Sequence, residues 1–549
     1  MSSVTGIFSV NRGVIEREEL AMLLYSFNIL QDHRGQAGAG ALLANPKRIK
    51  DPIKDRGPAR ASVPFKYLQQ MSDHTAFAGL AHTCYAKNRF LTRENIHPLP
   101  VGSKKYDMYV ASDGILLDID VRRQALKDAG YRFESDTNGA VIGTMFARYM
   151  DETGDEFEAG RRVIEDAFGC GVFSAVMLAR RKKDGKTKIV ALKDKRACKP
   201  MCYGVAHDTM FVASETYPLQ HFGVGDIRNA RGGDVIVFSE DGCKVRNFGD
   251  SRLEMPCIFE RIYFGGPEAL VLEELGPKFS EYAKRLGRKV GPGYRPSNFT
   301  VRNCLGLAWH DFWKDSVTEP DLISAVVDSG IGVTRGIAAG FHIPAYKYLD
   351  SLIKTLALKT FQISNPEERW LEVMLKEKLI TDLLEGIYLI IGDDSVVKGG
   401  MSGRSVYVEE MGGSPFPGGG SERTFFPSKS YGIIGQLKRI GKVARIVMGI
   451  SYAPMPFQCF YEFEVMEKRA AQASVGKPLI EVCDDVSKIL EPDWKKDRRL
   501  NVRYNPLGNV YAVCGRHNCA ACANGCYPVN DRFIPAEIKE RRERFTDSA

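Results

Sequence analysis

The sequence predicts two α/β architectures in series: a layered αββα sandwich, then a doubly wound parallel sheet. Three observations carry this reading. A chain of 549 residues exceeds what one hydrophobic core organises, so it divides into domains. Short apolar strands separated by glycine turns fill roughly the first 250 residues, the pattern of stacked sheets under helices. Ile387-Tyr388-Leu389-Ile390-Ile391 is then an unbroken apolar run, as in a strand buried on both faces, and Asp393-Asp394 follow it closely.

Bulk composition excludes several classes. Hydrophobic residues make up 44% and charged residues 26%, as in an ordinary globular protein. The net charge of +8 is small for this length, and its Lys and Arg are interleaved with Asp and Glu. That suits anionic small molecules and does not call for nucleic acid. No apolar run reaches membrane-spanning length and the first residues lack a signal-peptide core, so a cytoplasmic protein without a membrane partner is expected. In that compartment thirteen cysteines are not a disulfide framework. Most read as small buried hydrophobes, but Cys514, Cys519, Cys522 and Cys526 cluster and need their own account.

Taken in order, Thr5-Gly6-Ile7-Phe8-Ser9-Val10 is a strand, and Leu20, Leu23, Leu24, Phe27 and Leu30 fall at helical spacing. Strands follow at Gly79–Tyr85, Tyr109–Gly114, Gly171–Leu178 and Met210–Glu215. In the second half, Leu322–Val327 is a strand running into the small-residue loop Asp328-Ser329-Gly330, and a helix over Thr334–Ala339 would turn its N-terminus toward an anion. Past the Ile387–Ile391 strand, Asp393 and Asp394 suit sugar hydroxyls or Mg²⁺, and the Lys398-Gly399-Gly400 turn would close backbone N–H groups on a phosphate. The bland alternative is a solvated strand end with a helix cap.

This last run resembles the phosphoribosylpyrophosphate (PRPP) signature of type I phosphoribosyltransferases and, more narrowly, of the glutamine PRPP amidotransferase family. The resemblance implies that Asp393 and Asp394 grip the ribose, that Ser329 and Gly330 lie in the pyrophosphate loop, and that Ser329, Asp393 and Asp394 hold Mg²⁺. It places Lys398 and Gly399, with Ser428 and Ser430, around the 5′-phosphate, and Lys359 in the loop that closes over PRPP, in place of the family's arginine. Residues 401–427 look inserted within the phosphate loop as a Gly/Pro-rich hairpin. Either it loops out or it rebuilds the pocket.

The first half resembles, in order, the family's glutaminase domain, an N-terminal-nucleophile hydrolase. The match runs through His33-Arg34-Gly35-Gln36, His82-Thr83-Cys84-Tyr85, Asp113-Gly114, Ser135-Asp136 and Ala213-Ser214-Glu215. Arg34 and Asp136 carry over as substrate-binding positions and Gly114 as part of the catalytic loop. Three departures oppose glutamine hydrolysis. Thr5 stands where the family has its N-terminal cysteine and is preceded by Met1-Ser2-Ser3-Val4, so it serves as nucleophile only if those four are removed. Cys84 replaces a carboxylate-binding arginine. Asp113 replaces an asparagine whose amide donates to the oxyanion, whereas an ionised aspartate only accepts.

The same resemblance implies a [4Fe–4S] cluster. Its four cysteine positions are matched by Cys257 in the linker, Cys459 in Pro456-Phe457-Gln458-Cys459-Phe460-Tyr461, and Cys519 and Cys522. A local zinc site using Cys514 and Cys526 as well is the alternative. The expected domains are residues 5–250, 257–485 with the insertion, and a tail over 486–549. The expected function is transfer of phosphoribosyl to ammonia or another amine. The alternative is a catalytically degenerate iron–sulfur paralogue acting as a nucleotide-binding regulator. PRPP, purine nucleotides and a second copy of the chain are the implied partners.

Overall fold

The computed structural model describes residues 1–10, 19–72, 75–85, 91–348, 352–354, 377–396, 433–459, 461, 471, 475–490 and 499–546. They form two compact units. The first takes residues 1–257, 517–519 and 528–534, and the second takes residues 258–516, 520–527 and 535–549.

The first unit contains β1 (Ser3–Ser9), β2 (Gly38–Ala44), β3 (Ile53–Arg56), β4 (Ala78–Cys84), β5 (Leu99–Val101), β6 (Tyr106–Leu116), β7 (Gly171–Arg181), β8 (Thr187–Lys193), β9 (Cys202–Ala206), β10 (Thr209–Ala213), β11 (Arg228–Asn229), β12 (Asp234–Ser239) and β13 (Gly242–Asn247). They pair into two sheets, ordered β11-β9-β10-β1-β4-β2-β3 and β13-β12-β8-β7-β6-β5. Val4, Phe8, Leu42 and Leu80 of the first sheet meet Val176, Leu178, Ile189 and Phe238 of the second in one buried core. Both faces of these strands are covered, which is why β1, β2, β4 and β7 read as continuous apolar or small-residue runs rather than as alternation. Helix α1 (Glu19–Leu30) packs on the first sheet, with Phe27 stacked on Phe211. Helices α2 (Asn138–Thr153) and α3 (Glu156–Ala167) bury Val141, Phe146, Val163 and Ile164 against the second. The layers are thus helix, sheet, sheet, helix. Thr137 caps α2 and Asp155 caps α3, each accepting from first-turn backbone N–H groups.

The second unit is built on a parallel sheet ordered β14 (Leu322–Ala325), β17 (Tyr388–Asp393), β18 (Arg445–Ile450) and β19 (Leu500–Tyr504), with a separate pair β15 (Leu352–Lys354) and β16 (Glu377–Leu379). Helices α4 (Asn298–Trp313) and α5 (Gly330–Gly340) lie over β17 and β18. An added Cβ on Gly392 would stand 2.0 Å from Thr334 Oγ1, and one on Gly449 2.8 Å from Ile337 Cδ1. Trp309 and Trp313 anchor α4 by donating indole N–H groups to the carbonyls of Arg503 and Tyr504, at 2.8 and 2.9 Å. Helix α6 (Ile433–Arg439) follows β17, and α7 (Leu479–Leu490) packs along β19, where Ser487 Oγ accepts from Val502 N at 2.8 Å. This is the expected α+β and α/β pairing of folds. The linker match, expected to open the second domain, runs through a wide helical turn at Glu260–Phe264. Lys359, Lys398, Gly399, Ser428, Ser430 and the 401–427 insertion lie outside the described residues.

Candidate functional site

In the second unit, parallel pairing of β14 with β17 places the loops that follow them at the same end of the sheet. Gly330 is at the start of α5, and an added Cβ there would lie 2.2 Å from Gly392 O, so only glycine lets the 328–330 loop approach β17 this closely. Asp393 ends β17 and Asp394 follows; both are buried. Asp393 Oδ1 accepts from Asp394 N at 2.9 Å, and Asp394 Oδ1 accepts from Ser395 Oγ at 2.6 Å. Their carbonyls are held by Ser451 N at 3.0 Å and Tyr452 N at 3.1 Å. The acidic pair is therefore set by the first residues after β18 as well as by its own strand. Ser329 is half-buried and Asp328 exposed beside it.

Tyr504 is a residue that sequence reasoning passed over. It shares a register row with Ile450 and Asp393, so its side chain leaves the same face of the sheet. Its hydroxyl is fully buried and has no hydrogen-bond partner among the described residues. Burial raises its pKa well above the usual range, and the sulfur of Cys483 and the charge of Asp393 add to this.

In the first unit, Thr5 lies inside β1, in register with Ala213 of β10 and Ala81 of β4. Its Oγ1 accepts from Gln31 Nε2 at 2.9 Å, while Gln31 Oε1 accepts from the backbone of Ser214 and Glu215. The residues before Thr5 are buried and bonded. Ser3 Oγ and Thr83 Oγ1 share a hydrogen bond of 2.8 Å, Val4 N donates to Ser214 Oγ at 2.9 Å, and Ser2 Oγ accepts from Tyr85 N at 3.1 Å. Arg34 is buried, donating to Ser2 O at 3.1 Å and to Glu215 Oε1 at 2.6 Å. Burial works to raise the Glu215 carboxyl, but His33 and Arg34 outweigh it and hold it below the usual carboxylate range.

Asp113 sits in β6 opposite Ser174, and the Lys199 ammonium lies 3.5 Å from its Oδ1; both side chains are buried. Gly114, next to it, packs against Phe173. Asp136 is exposed in the loop before α2. Cys84 ends β4, buried and in register with Gly38. Lys199 had no signal in the sequence, because its partner is far away along the chain and is brought to it only by the fold of the turn before β9.

Thirteen cysteines are present and none is in a disulfide. In the first unit, Cys257 and Cys519 pair in a parallel bridge, with Cys519 N donating to Pro256 O at 2.9 Å. In the second unit, the Tyr452 hydroxyl and Cys522 Sγ share a hydrogen bond of 3.3 Å, and Phe457 N donates to Cys522 O at 3.1 Å. Cys459, half-buried, follows two residues after Phe457. Cys514 ends a short helix, and its carbonyl accepts from Arg261. Cys526 is exposed. Among the described residues, no group of three or more His, Cys, Asp or Glu is arranged to hold a metal ion.

No family model matches the chain. Curated relatives named amidophosphoribosyltransferase do. The one from Methanocaldococcus jannaschii is 23% identical over 550 residues, covering 97% of this chain and 98% of its own. The one from Pyrococcus horikoshii is 27% identical over 402 residues, 73% of this chain and 77% of its own. A solved structure titled as the allosteric regulatory enzyme of purine biosynthesis superposes with a TM-score of 0.71 at 18% identity, over 99% of this chain and 98% of that one. The glutamine PRPP amidotransferase of Bacillus subtilis, complexed with ADP and GMP, superposes with a TM-score of 0.69 at 19% identity, over 96% and 97%. Over nearly its whole length, this chain is similar in sequence to proteins named amidophosphoribosyltransferase and shares the fold of the two solved structures.

Proposed function

We propose that the chain is a phosphoribosyltransferase that binds PRPP with Mg²⁺ in its second unit and joins ammonia or another amine to the ribose carbon, releasing pyrophosphate. The observation that carries this is the meeting of the Asp328-Ser329-Gly330 and Asp393-Asp394 loops at one sheet end, where open α/β sheets bind ligands. The Asp393 and Asp394 carboxylates would accept hydrogen bonds from the ribose hydroxyls and so orient the ring. The start of α5 would turn its N–H groups and the Ser329 hydroxyl toward the pyrophosphate. Asp393, Asp394 and Ser329 offer the hard oxygen donors that Mg²⁺ takes, and when bound it would neutralise charge on the leaving pyrophosphate. The chain's own part is positioning, which makes the attack effectively unimolecular. Purine nucleotides, as in the Bacillus complex, are the expected effectors, a homo-oligomer the expected assembly and the cytoplasm the expected compartment.

Isothermal titration tests this reading. Mg²⁺-dependent PRPP binding is expected in the unaltered chain and loss of it in the Asp393→Asn, Asp394→Asn double variant. Absence of binding at millimolar PRPP would remove the activity.

Glutamine hydrolysis is proposed to be lost. Thr5 is interior to β1, Arg34 is engaged by Glu215 and Ser2, and Asp113 faces Lys199 instead of offering an amide to an oxyanion. These features also favour the second reading, a nucleotide-binding regulator without catalysis. Transfer of phosphoribosyl to ammonia separates the two.

For the cysteines the finer reading is a [4Fe–4S] cluster on Cys257, Cys459, Cys519 and Cys522, with zinc at Cys514–Cys526 as the rival. Support comes from the Cys257–Cys519 pairing in one unit and the closeness of the Phe457 segment to Cys522 in the other. Anaerobic purification with iron, sulfide and zinc analysis decides between them.

A further inference from the structure

Asn505 is the first residue after β19, fully buried, and no sequence motif singled it out. Its backbone N donates to Ile450 O at 3.0 Å. Its side-chain amide donates twice, to Ser451 O and to Leu305 O of α4, both at 3.0 Å. Only the NH₂ end of an amide can serve two carbonyls, which fixes how the group is turned. The amide oxygen accepts from Asn509 Nδ2 at 3.4 Å, and Asn509 itself reaches Ala308 O of α4 at 3.2 Å. Ser451 in turn grips the acidic pair. Its N donates to Asp393 O at 3.0 Å and its Oγ to Asp394 O at 3.1 Å. An unbroken series of hydrogen bonds therefore runs from α4 through Asn505 and Ser451 to the backbone of Asp393 and Asp394. The same helix backs the other loop. Gly306, beside Leu305, lies against Val333 O of α5, and α5 begins at Gly330. One helix thus carries both loops, the first through Asn505 and the second through a glycine contact.

We infer that Asn505 is a positioning residue for PRPP and Mg²⁺: acting through Ser451, it sets the spacing between the Asp393-Asp394 pair and the Asp328-Ser329-Gly330 loop. This rests on the phosphoribosyltransferase reading above. Carboxylates that orient a sugar ring and a metal must be held to within ~0.5 Å, by groups locked from behind. Carbonyls fixed at Asp393 and Asp394 hold the pair in place before any ligand arrives, so binding does not have to order it. An apolar residue at 505 would leave the Ser451 carbonyl without this donor and cut the pair loose from α4.

The test is titration of the full chain with PRPP and Mg²⁺ by calorimetry, with a urea melt of each variant. Asn505→Ala and Asn505→Asp remove both donors, the second at nearly unchanged volume. Each should weaken PRPP binding about tenfold, as loss of a group that orients a ligand-binding residue does. Ser451→Ala, which takes only the hydroxyl, should weaken it in the same direction. The double variant Ser451→Ala, Asn505→Ala should bind no worse than the poorer single variant, because the two act in series. Ser487→Ala is the control for a merely structural role. Ser487 is also fully buried, accepts from Val502 N at 2.8 Å and donates to Cys483 O at 2.7 Å, but it ties α7 to the middle of β19. It should lower stability and leave PRPP binding unchanged. Binding by both Asn505 variants within about twofold of the unaltered chain overturns the proposal, and so does an equal loss in Ser487→Ala. Should the Asn505 variants fail to fold, Ser451→Ala decides, and unchanged binding there overturns it. An unaltered chain that binds no PRPP overturns the phosphoribosyltransferase reading and this proposal with it. Binding that survives in the variants overturns the positioning role alone.

Discussion

His82 and His97 stack with ring centroids 4.4 Å apart, fully buried in the first unit. His82 Nε2 faces Ser112 O at 3.1 Å, and His97 Nδ1 accepts from Ser112 N at 3.0 Å. Burial lowers the His82 pKa to about 4; it also puts His97 well below its usual value, helped by the neighbouring ring. A histidine with a depressed folded pKa stabilises fully above its unfolded pKa, near 6.5, and loses that stability as pH falls toward the folded value. Stability should therefore fall between pH 7 and pH 5, by roughly 2 kcal/mol at pH 5 from His82 alone. Urea melts across this window check it; a flat profile rules out two neutral buried rings. The buried Asp113–Lys199 pair gives a second residue-scale expectation. Asp113→Asn supplies an amide at this position, yet it removes the carboxylate facing a buried ammonium and should cost about 3 kcal/mol. It should still release no glutamate from glutamine. A double variant with Lys199→Met should regain much of the stability. Glutamate release by Asp113→Asn would show that charge alone had silenced the site.

At the scale of elements, the seam between α4 and α5 is the tightest test of the second unit. An added Cβ on Gly336 would meet Asn303 O at 2.0 Å, and one on Gly306 would meet Val333 O at 2.0 Å. The helices touch backbone to backbone, so even a methyl group forces them apart. Gly336→Ala should destabilise by about 2 kcal/mol, as overpacking does. Because α5 begins at Gly330, the same change should also weaken PRPP binding by displacing the Ser329 loop. Gly508 is the control: among the described residues nothing lies within 4 Å of its added Cβ, and Gly508→Ala should leave stability equal or raise it by about 0.5 kcal/mol. Thermal melts of both variants decide. A Gly336→Ala protein as stable as the parent would mean the seam yields.

At the scale of the whole molecule, the chain does not end its folding with the second unit's helices. β19 closes the parallel sheet from residues 500–504, and residues 517–519 and 528–534 belong to the first unit. A chain truncated after residue 485 should therefore lose an edge strand with Trp309 and Trp313 anchored on it, and should be insoluble or unfolded by circular dichroism. Among the described residues, no helix is long and apolar enough to cross a membrane. Local pattern alone determined the strand ending in Asp393, the α1 helix and the layered first half, because apolar periodicity and burial are written in neighbouring residues. Order along the chain also put Asp328-Ser329-Gly330 ahead of Asp393-Asp394. Tertiary structure alone decided that Lys199 faces Asp113, that Glu215 takes Arg34 and that Tyr504 shares a row with Asp393. Asp113 and Tyr504 are set by which distant strands pair and in what register, and Lys199, Arg34 and Glu215 by which turns and loops the fold brings beside each other.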